Sequence, residues 1–336
     1  MRIFNPFPHG KHCFVVPYEG KALKIFNFEM VDDWKKDISW GDRPSPGQPN
    51  MSVPLEDSII IQNICAMHGL APRVYEKVGV CLGMKKHFAV ITDMVKGESS
   101  IEQTEKVYNE VKKLGETYGF KNDKDDYSAQ DAIDGKLVDF NTFHFTRDYK
   151  DKIKKQYVEA ARYGKIYYHD VPELGLTNSP RDNDQRIKWL GLDRIDFTKQ
   201  SMTDYGCAGG FFCRYAKSRG AGDVLGIDYP GVGSDNPIKA AELMSNYLKH
   251  WNIDYMNQDL SEECNRWPAD ITLFLSMNYH IGIPKWLPEV TIDLCVFEDN
   301  SKNRDALATL KQMFNKVEMV GRGKDHGDKP IYWCWK

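Results

Sequence analysis

The chain has 336 residues, which exceeds one average domain and favours two. Its hydrophobic fraction of 41% and aromatic fraction of 12% are sufficient for packed cores and argue against an intrinsically disordered protein. The formal net charge of −3 gives no basic footprint, so nucleic acid is a disfavoured partner, although a local basic patch remains compatible with it.

Cysteine usage and hydropathy indicate the compartment. The eight cysteines, at positions 13, 65, 81, 207, 213, 264, 295 and 334, form no CxxC pair, and several lie in apolar runs. This favours reduced, buried thiols over disulfides or a zinc site, and no metal centre is expected from them. The opening MRIFNPFPHGKH lacks the apolar core of a signal peptide, and no apolar run reaches the ~20 residues that span a bilayer. We therefore expect a cytoplasmic protein without a membrane span, whose oligomeric state the sequence leaves open.

The first half alternates strands and helices. Residues 12–28 have the pattern of two strands around a turn at Glu19-Gly20, and on spacing alone Lys24 is a strand lysine that points to water. Gly69 is a natural end for a helix predicted over 54–68. The other predicted elements are a loop over 34–51, strands over 73–80 and 87–94, and helices over 101–118 and 148–163.

This order of elements resembles the small lobe of protein-kinase-like and aminoglycoside-phosphotransferase-like folds. The resemblance rests on ALKIF with Lys24, on Glu56 in the following helix, and on the segments GLAPRVYE (69–76), FAVITDMVKG (88–97) and DGKLVDFN (134–141). It implies that Lys24 holds nucleotide phosphates, that Glu56 pairs with Lys24, and that Asp139 binds magnesium.

The same region departs from the kinase pattern. The segment before Lys24 is PFPHGKH instead of a glycine-rich loop, and Ser128 stands five residues after Asp123, where the family has an asparagine. The resemblance therefore implies a reduced α+β kinase-like accessory domain over residues 1–150, either inactive or still active. A chance likeness is the alternative.

The second half predicts an α/β domain over 201–336, preceded by a linker and lead-in helices over 151–200. Strand Ser201–Asp204, a glycine-bearing turn, a helix and a strand ending at Asp228 form a βαβ unit. The remaining predicted elements are helices over 183–192 (capped by Asp182 or Asn183), 237–251 and 302–314, strands over 253–257, 269–277 and 291–298, and an antiparallel pair over 317–320 and 330–335.

The βαβ unit, DYGCAGGFFCRYAKSRGAGDVLGID over 204–228, resembles the first two motifs of class I S-adenosylmethionine-dependent methyltransferases. The D-x-G-x-x-x-G pattern is supplied by Asp204, Gly206 and Gly210, with Gly209 in addition. The likeness covers about residues 165–336. It implies a Rossmann-like seven-stranded sheet, parallel except for one antiparallel strand, and it implies S-adenosyl-L-methionine as the cofactor.

The resemblance also implies roles for single residues. Asp204 would hold the amino group of the cofactor, Asp228 its ribose hydroxyls, and Asp259 its adenine amino group. The glycines would let the backbone meet the methionyl part without Cβ clashes. Other implied cofactor contacts are Cys207, Gln258, Leu260 through its N–H, and Ser276. For Asp259 the alternative is an aspartate that caps a loop, and for Cys207 it is packing.

Candidate catalytic residues follow the predicted strand over 269–277, in the segment SMNYH. His280 is the best-placed base for removing a hydroxyl proton, because imidazole exchanges protons near neutral pH. Tyr279 would line the acceptor pocket, and Glu298 is a second candidate base. A hydrogen-bonded structural histidine is the alternative for His280.

The upstream segment PRDNDQR (180–186) resembles the G-Q-R-x-T-x-x-R lead-in of some glycan and small-molecule methyltransferases. The likeness implies that Arg181 and Arg186 face a carboxylate or phosphate; a plain surface helix start is the alternative. The sequence therefore favours O-methylation of a small molecule, a glycan or a phosphorylated sugar terminus. The alternatives are an RNA methyltransferase whose N-terminal domain binds the substrate, a bifunctional kinase–methyltransferase, and a non-catalytic scaffold of two degenerate enzymes.

Overall fold

The structure, a computed structural model, describes residues 13–29, 55–82, 85–122, 131–140, 142–161, 169–229, 236–261, 266–301, 306–324 and 327–336. The chain divides into two compact units, Met1–Ile153 and Lys154–Lys336, so residues 154–200 belong to the second unit. The loop predicted over 34–51, the segment PFPHGKH and the positions Asp123 and Ser128 lie outside the described residues.

The first unit contains a four-stranded antiparallel sheet in the order β1-β2-β4-β3 and two small two-stranded ribbons, β5–β8 and β6–β7. Its elements are β1 (Cys13–Tyr18), β2 (Lys21–Glu29), α1 (Leu55–Ala66), β3 (Val74–Leu82), β4 (Lys85–Thr92), α2 (Ile101–Tyr118), β5 (Phe120–Asn122), β6 (Ala132–Ile133), β7 (Lys136–Leu137), β8 (Phe143–Phe145) and α3 (Tyr149–Ala160), which ends in the second unit.

Local rules explain where the elements of the first unit end. Helix α2 begins after Ser100, whose hydroxyl accepts a hydrogen bond from the Gln103 N–H at 3.1 Å, and it ends at Gly119 in the left-handed conformation. In the segment DGKLVDFN (134–141) the described strand is the two-residue β7, which follows a tight hairpin turn formed by Asp134 (φ +48°) and Gly135 (φ +70°) after β6.

The second unit carries the βαβ motif and the strands that follow it. Its elements after α3 are α4 (Asn183–Leu190), β9 (Met202–Tyr205), α5 (Phe211–Ser218), β10 (Val224–Asp228), α6 (Pro237–Tyr247), β11 (Ile253–Asn257), β12 (Ala269–Leu275), α7 (Asn278–Ile281), α8 (Leu287–Val290), β13 (Thr291–Glu298), α9 (Ala306–Met313), β14 (Lys316–Gly323) and β15 (Lys329–Trp335). Asp182 is the N-cap of α4, since its carboxylate accepts a hydrogen bond from the Gln185 N–H at 3.0 Å.

Within the described residues the second unit forms one seven-stranded sheet in the order β11-β10-β9-β12-β13-β15-β14. Strands β9 to β13 run parallel, and β15 is antiparallel to both of its neighbours. The predictions of a mostly parallel α/β sheet and of a closing antiparallel pair are confirmed. Apolar side chains cover both faces: Val296 packs on one face, and its strand neighbours Cys295 and Phe297 pack on the other.

Two predictions about the whole chain can be checked where the structure describes it. None of the helices in the described ranges has the length and apolar character needed to cross a bilayer. The cysteines in the same ranges form no disulfide, and Cys65, Cys207, Cys213, Cys295 and Cys334 are buried.

Candidate functional site

The strand order reverses at the centre of the seven-stranded sheet. From β9 the chain continues to β10 on one side, whereas β12 pairs with β9 on the other side. In open α/β sheets, ligands bind beyond the carboxyl ends of the strands at such a switch point. We call the residues there the carboxyl-edge site: Asp204–Gly210, Asp228 and Ser276–His280.

The turn after β9 is held tightly against the end of β10. The N–H groups of Gly206 and Cys207 both donate to the Ile227 carbonyl, at 2.8 and 3.0 Å. Ala208 adopts φ +47°, an unfavourable conformation for a residue with a Cβ, and its N–H donates to Asp228 Oδ2 at 2.6 Å. Asp228 therefore fixes a strained turn as well as ending its own strand.

The glycines of this turn are close to protein side chains. A Cβ on Gly206 would collide with the Met277 thioether, and one on Gly210 would lie 2.5 Å from the Tyr255 hydroxyl. At Gly209 the nearest atom to such a Cβ is the Tyr157 hydroxyl, 3.2 Å away. Packing against Met277, Tyr255 and Tyr157 is therefore a reason for these glycines that the sequence did not indicate, and the predicted reason, close approach of a ligand to the backbone, stays a prediction.

Tyr255 was not singled out from the sequence, although it organises the turn. Its hydroxyl lies 2.8 Å from the Ser245 hydroxyl, and its ring packs against both Gly210 and Gly226. Burial raises the pKa of Tyr255, so the phenol stays neutral. The alternation of β11 could have indicated an inward-facing side chain at position 255, but not its contact with two glycines distant in sequence.

Asp204 is the most unusual group of the carboxyl-edge site. Its side chain is 1% exposed, Cys213 Sγ lies 3.9 Å from Oδ2, and Oδ1 has no hydrogen-bond partner among the described residues. Burial first, and the nearby Asp228 second, raise the pKa of this carboxyl to about 8, while Arg186 acts in the opposite direction. A buried acceptor oxygen without a donor is unfavourable, and a ligand that carries a donor would satisfy it.

Cys207 and Cys213 lie beside Asp204 in the turn and in α5. Both thiols are buried, and burial raises the pKa of each. A protonated, buried thiol is a poor nucleophile, which supports packing as the function of these two cysteines.

A buried ion pair between Arg186 and Glu298 lies beside Ser276 of the carboxyl-edge site. Arg186 and Glu298 are 1% and 0% exposed, and the guanidinium meets the carboxylate in a bidentate contact, with Nη1–Oε1 3.1 Å and Nη2–Oε2 3.3 Å. The Ser276 hydroxyl also donates to Glu298 Oε2, and the Lys329 ammonium donates to the Ser276 hydroxyl at 3.3 Å. The carboxylate that Arg186 faces is therefore Glu298, and Arg186 is neither a surface residue nor directed at an external anion.

The lead-in segment adds a histidine that sequence reasoning missed. His169 is 5% exposed, its Nδ1 donates to Asn183 Oδ1 at 2.9 Å, and its ring stacks on Phe211 at a centroid distance of 4.6 Å. Burial lowers the pKa of His169 to about 3 against the opposing Asn183 hydrogen bond, and Arg186 and Arg181 lower it further. Arg181 is half-buried, in a turn closed by the Ser179 hydroxyl, which donates to the Arg181 carbonyl at 2.7 Å.

The candidate catalytic pair lies at the end of β12. Tyr279 is 57% exposed and His280 is also exposed, and their rings meet edge to face at 5.1 Å. Both belong to the short helix α7, which begins directly after Ser276 and Met277. The structure therefore places Tyr279 and His280 at the predicted edge of the sheet and open to solvent.

The residues after β11 lie beside the same edge. The Gln258 N–H donates to the Asp228 carbonyl at 2.8 Å, so the end of β11 stays paired with the end of β10. Asp259 Oδ1 accepts from the hydroxyl and the N–H of Ser261, at 2.6 and 2.9 Å, and these hydrogen bonds lower the pKa of Asp259. This loop-capping contact was the alternative to the adenine contact; Leu260 is buried beside it.

The kinase-like residues of the first unit are arranged differently from the prediction. Glu56 forms a half-buried ion pair with Lys77 on β3, with Nζ and Oε1 2.5 Å apart. Lys24 donates to the Val138 carbonyl at 3.0 Å, so it neither pairs with Glu56 nor points to water. The predicted Lys24–Glu56 pair is wrong in this structure, although the Lys24 ammonium does reach the residue that precedes Asp139.

The chain matches no known protein family and no curated protein. It is similar to three solved structures, among others. The ribosomal protein L11 methylase of Lactobacillus delbrueckii subsp. bulgaricus is 19% identical over 47% of this chain and 82% of its own, with a TM-score of 0.35. The magnesium protoporphyrin IX methyltransferase of Synechocystis PCC 6803 is 16% identical (46% and 81% covered, TM-score 0.33). A putative RNA methyltransferase of Pyrococcus horikoshii is 16% identical (55% and 98% covered, TM-score 0.35).

Proposed function

We propose that the second unit is an S-adenosylmethionine-dependent methyltransferase that acts on an oxygen of a small molecule, a glycan or a phosphorylated sugar terminus. The observation that carries the proposal is the buried Asp204, with a partnerless oxygen, next to Asp228 at the switch point of the sheet. The closing antiparallel strand β15 supports the same family over a nicotinamide-binding Rossmann domain.

The residues present fit this cofactor. An ammonium group is the donor that the partnerless Asp204 Oδ1 needs, and the α-amino group of S-adenosylmethionine provides one. Asp228 accepts from the N–H groups of Ala208 and Tyr229, one on each oxygen, and a carboxylate is the kind of acceptor to which ribose hydroxyls donate. Bound there, the cofactor supplies an electrophilic methyl group.

The protein must then align the acceptor and take its proton. His280 is the exposed base at the carboxyl-edge site, and Tyr279 provides a ring against which an acceptor can lie. Glu298 is a weaker candidate base, because its two oxygens are engaged by Arg186 and Ser276 in a fully buried contact. We assign proton removal to His280 and acceptor positioning to Tyr279.

We also propose that the first unit is a reduced kinase-like accessory domain. The specific support is the contact of Lys24 with Val138, which brings an ammonium to the residue before Asp139. The Glu56–Lys77 pair favours an inactive form, because in the described part of the chain Glu56 pairs with Lys77 and does not orient Lys24 as the corresponding glutamate of kinases does. Titration with ATP and Mg²⁺ tests this: binding lost in Lys24→Ala supports it, and no binding in wild type removes the nucleotide-binding role.

The methyltransferase proposal is tested by calorimetry with S-adenosylhomocysteine. Asp228→Ala should abolish binding. The control is Asp223→Ala: Asp223 is exposed and directly precedes β10, at the opposite end of the strand from Asp228, so this variant should bind as wild type does. Mass spectrometry of metabolite and cell-envelope sugar pools incubated with methyl-labelled cofactor then identifies a product heavier by one methyl group. Absence of binding in wild type would overturn the proposal.

A further inference from the structure

The segment that carries Tyr279 and His280 is tied to the segment after β13 by side-chain hydrogen bonds. Asn278 Nδ2 donates to Asp299 Oδ1 at 2.6 Å, and Asn278 Oδ1 accepts from the Asn300 N–H at 2.9 Å. Asn278 and Asp299 are each 8% exposed. We call this contact the Asn278 clamp: Asn278, Asp299 and Asn300.

The chemistry of the clamp leaves one orientation for the amide. Asp299 accepts and the Asn300 N–H donates, so the Asn278 amide must direct its NH₂ to the first and its oxygen to the second. Asp299 Oδ1 also accepts from the N–H and the hydroxyl of Ser301, at 2.8 and 2.7 Å, which fixes the carboxylate itself. The clamp is therefore a largely buried network in which both ends of the Asn278 amide have a defined partner.

A second set of contacts fixes the start of the same segment. The Ser276 N–H donates to the Glu298 carbonyl at 3.1 Å, and Ser276 has φ +60°, which is unfavourable for a residue with a Cβ. Between the two anchors, the Met277 side chain lies against Gly206. The direction in which α7 leaves the sheet is thus set at Ser276 and again at Asn278, within one turn of His280.

We propose that Asn278 is a positioning residue for methyl transfer: through its clamp it holds α7 so that Tyr279 and His280 face the acceptor at the carboxyl-edge site. The inference rests on the proposed function. Asn278 contacts neither the Asp204 turn nor Asp228 in the described contacts, so it acts on the acceptor side and leaves cofactor binding unchanged.

The test changes the side chains of the clamp by substitution in the full-length protein. Asn278→Asp puts a carboxylate against Asp299 and opens the clamp. Asp299→Ala removes the acceptor of the Asn278 amide and should open the clamp as well, whereas Asp299→Asn keeps an amide oxygen at the Oδ1 position for Asn278 and Ser301 and should preserve it. Ser301→Ala is the matched control, because it removes one hydrogen bond from Asp299 and leaves Asn278 intact.

Hydrogen–deuterium exchange of the peptide 276–283, with S-adenosylhomocysteine bound, reports on α7, and methyl incorporation from labelled cofactor into the metabolite pool reports on transfer. For Asn278→Asp we expect exchange about tenfold faster, methyl incorporation about tenfold slower or less, and an S-adenosylhomocysteine Kd within about twofold of wild type. Asp299→Ala should show both defects, and Asp299→Asn and Ser301→Ala should resemble wild type.

The inference would be overturned by wild-type exchange in Asn278→Asp, by faster exchange with unchanged methyl incorporation, or by wild-type exchange and transfer in Asp299→Ala. Loss of S-adenosylhomocysteine binding in Asn278→Asp alone would also overturn it, because the clamp would then serve the cofactor. If wild type itself fails to bind S-adenosylhomocysteine, the proposed function falls and takes the inference with it.

Discussion

Cofactor affinity should depend on the protonation of Asp204. The carboxyl is buried and its pKa is raised to about 8, mainly by burial and then by Asp228. Below that pH the group is mostly a neutral acid, which accepts a hydrogen bond from an ammonium group much more weakly than a carboxylate does because the ion pair is absent. Binding of the charged amino group therefore requires Asp204 to release a proton, and the affinity should fall as the pH is lowered.

The size of the effect follows from the ionised fraction. With a pKa of about 8 the carboxylate fraction is about 1% at pH 6 and about 24% at pH 7.5, so the apparent Kd should fall about 24-fold between these values. Staying at or below pH 7.5 keeps the amino group of the ligand largely charged, so that its own titration does not mask the trend.

Calorimetry with S-adenosylhomocysteine at pH 6.0, 6.5, 7.0 and 7.5 measures this dependence. Repeating each titration in buffers of different ionisation enthalpy counts the protons released, and a value close to one proton is expected at pH 6. Asp204→Asn should bind weakly at every pH and release no proton. A Kd that is constant from pH 6 to 7.5, or a pH dependence that survives in Asp204→Asn, would refute the reasoning.

Three further predictions concern stability. The folded state keeps the Asp204 proton that the unfolded chain releases above pH ~4, so this group lowers the free energy of unfolding as the pH rises from ~4 to ~8. In urea unfolding, Asp204→Asn should therefore be more stable than wild type by ~2–5 kcal/mol at pH 8, with little difference at pH 4. Arg186→Ala leaves the Glu298 carboxylate buried and unpaired and should cost ~3–5 kcal/mol, whereas Arg266→Ala, which breaks the exposed pair with Glu289, should cost less than ~1 kcal/mol. Equal costs for the two arginine variants would contradict the burial argument. Gly206→Ala should destabilise the protein by ~1–3 kcal/mol in the same assay, because Gly206 has φ +88° and the Met277 thioether occupies the position of the added Cβ. Adding Met277→Ala should remove the collision and recover part of this loss, while the backbone strain at position 206 remains.

The features of the site that the sequence predicts are those set by short-range pattern. Asp204, Gly206, Gly210 and Asp228 lie within one βαβ unit, and the structure places them together at the ends of β9 and β10. Asp182 caps α4 by a contact with a residue three positions away, which is also a local rule.

The features that the sequence does not reveal depend on pairing across long stretches of chain. Arg186 and Glu298 are separated by 112 positions, and charge alone does not show which carboxylate a given arginine meets. The same limitation explains why the prediction that Glu56 pairs with Lys24 was wrong. Lys24 and Lys77 lie on different strands of one sheet, and the structure pairs Glu56 with Lys77. The contacts of Tyr157 and Tyr255 with the glycines likewise require the fold to be known.

Helix α3 has a practical consequence for dissecting this protein. A fragment cut at the first residue of the βαβ unit, Ser201, would lack Tyr157 against Gly209, His169 against Phe211 and Arg186 against Glu298. Such a fragment would retain every residue of the glycine motif but would leave a void beside Gly209 and an uncompensated carboxylate at the end of β13. A fragment starting at Lys154, the first residue of the second unit, keeps all three side chains and is the better fragment to express for crystallisation or ligand screening.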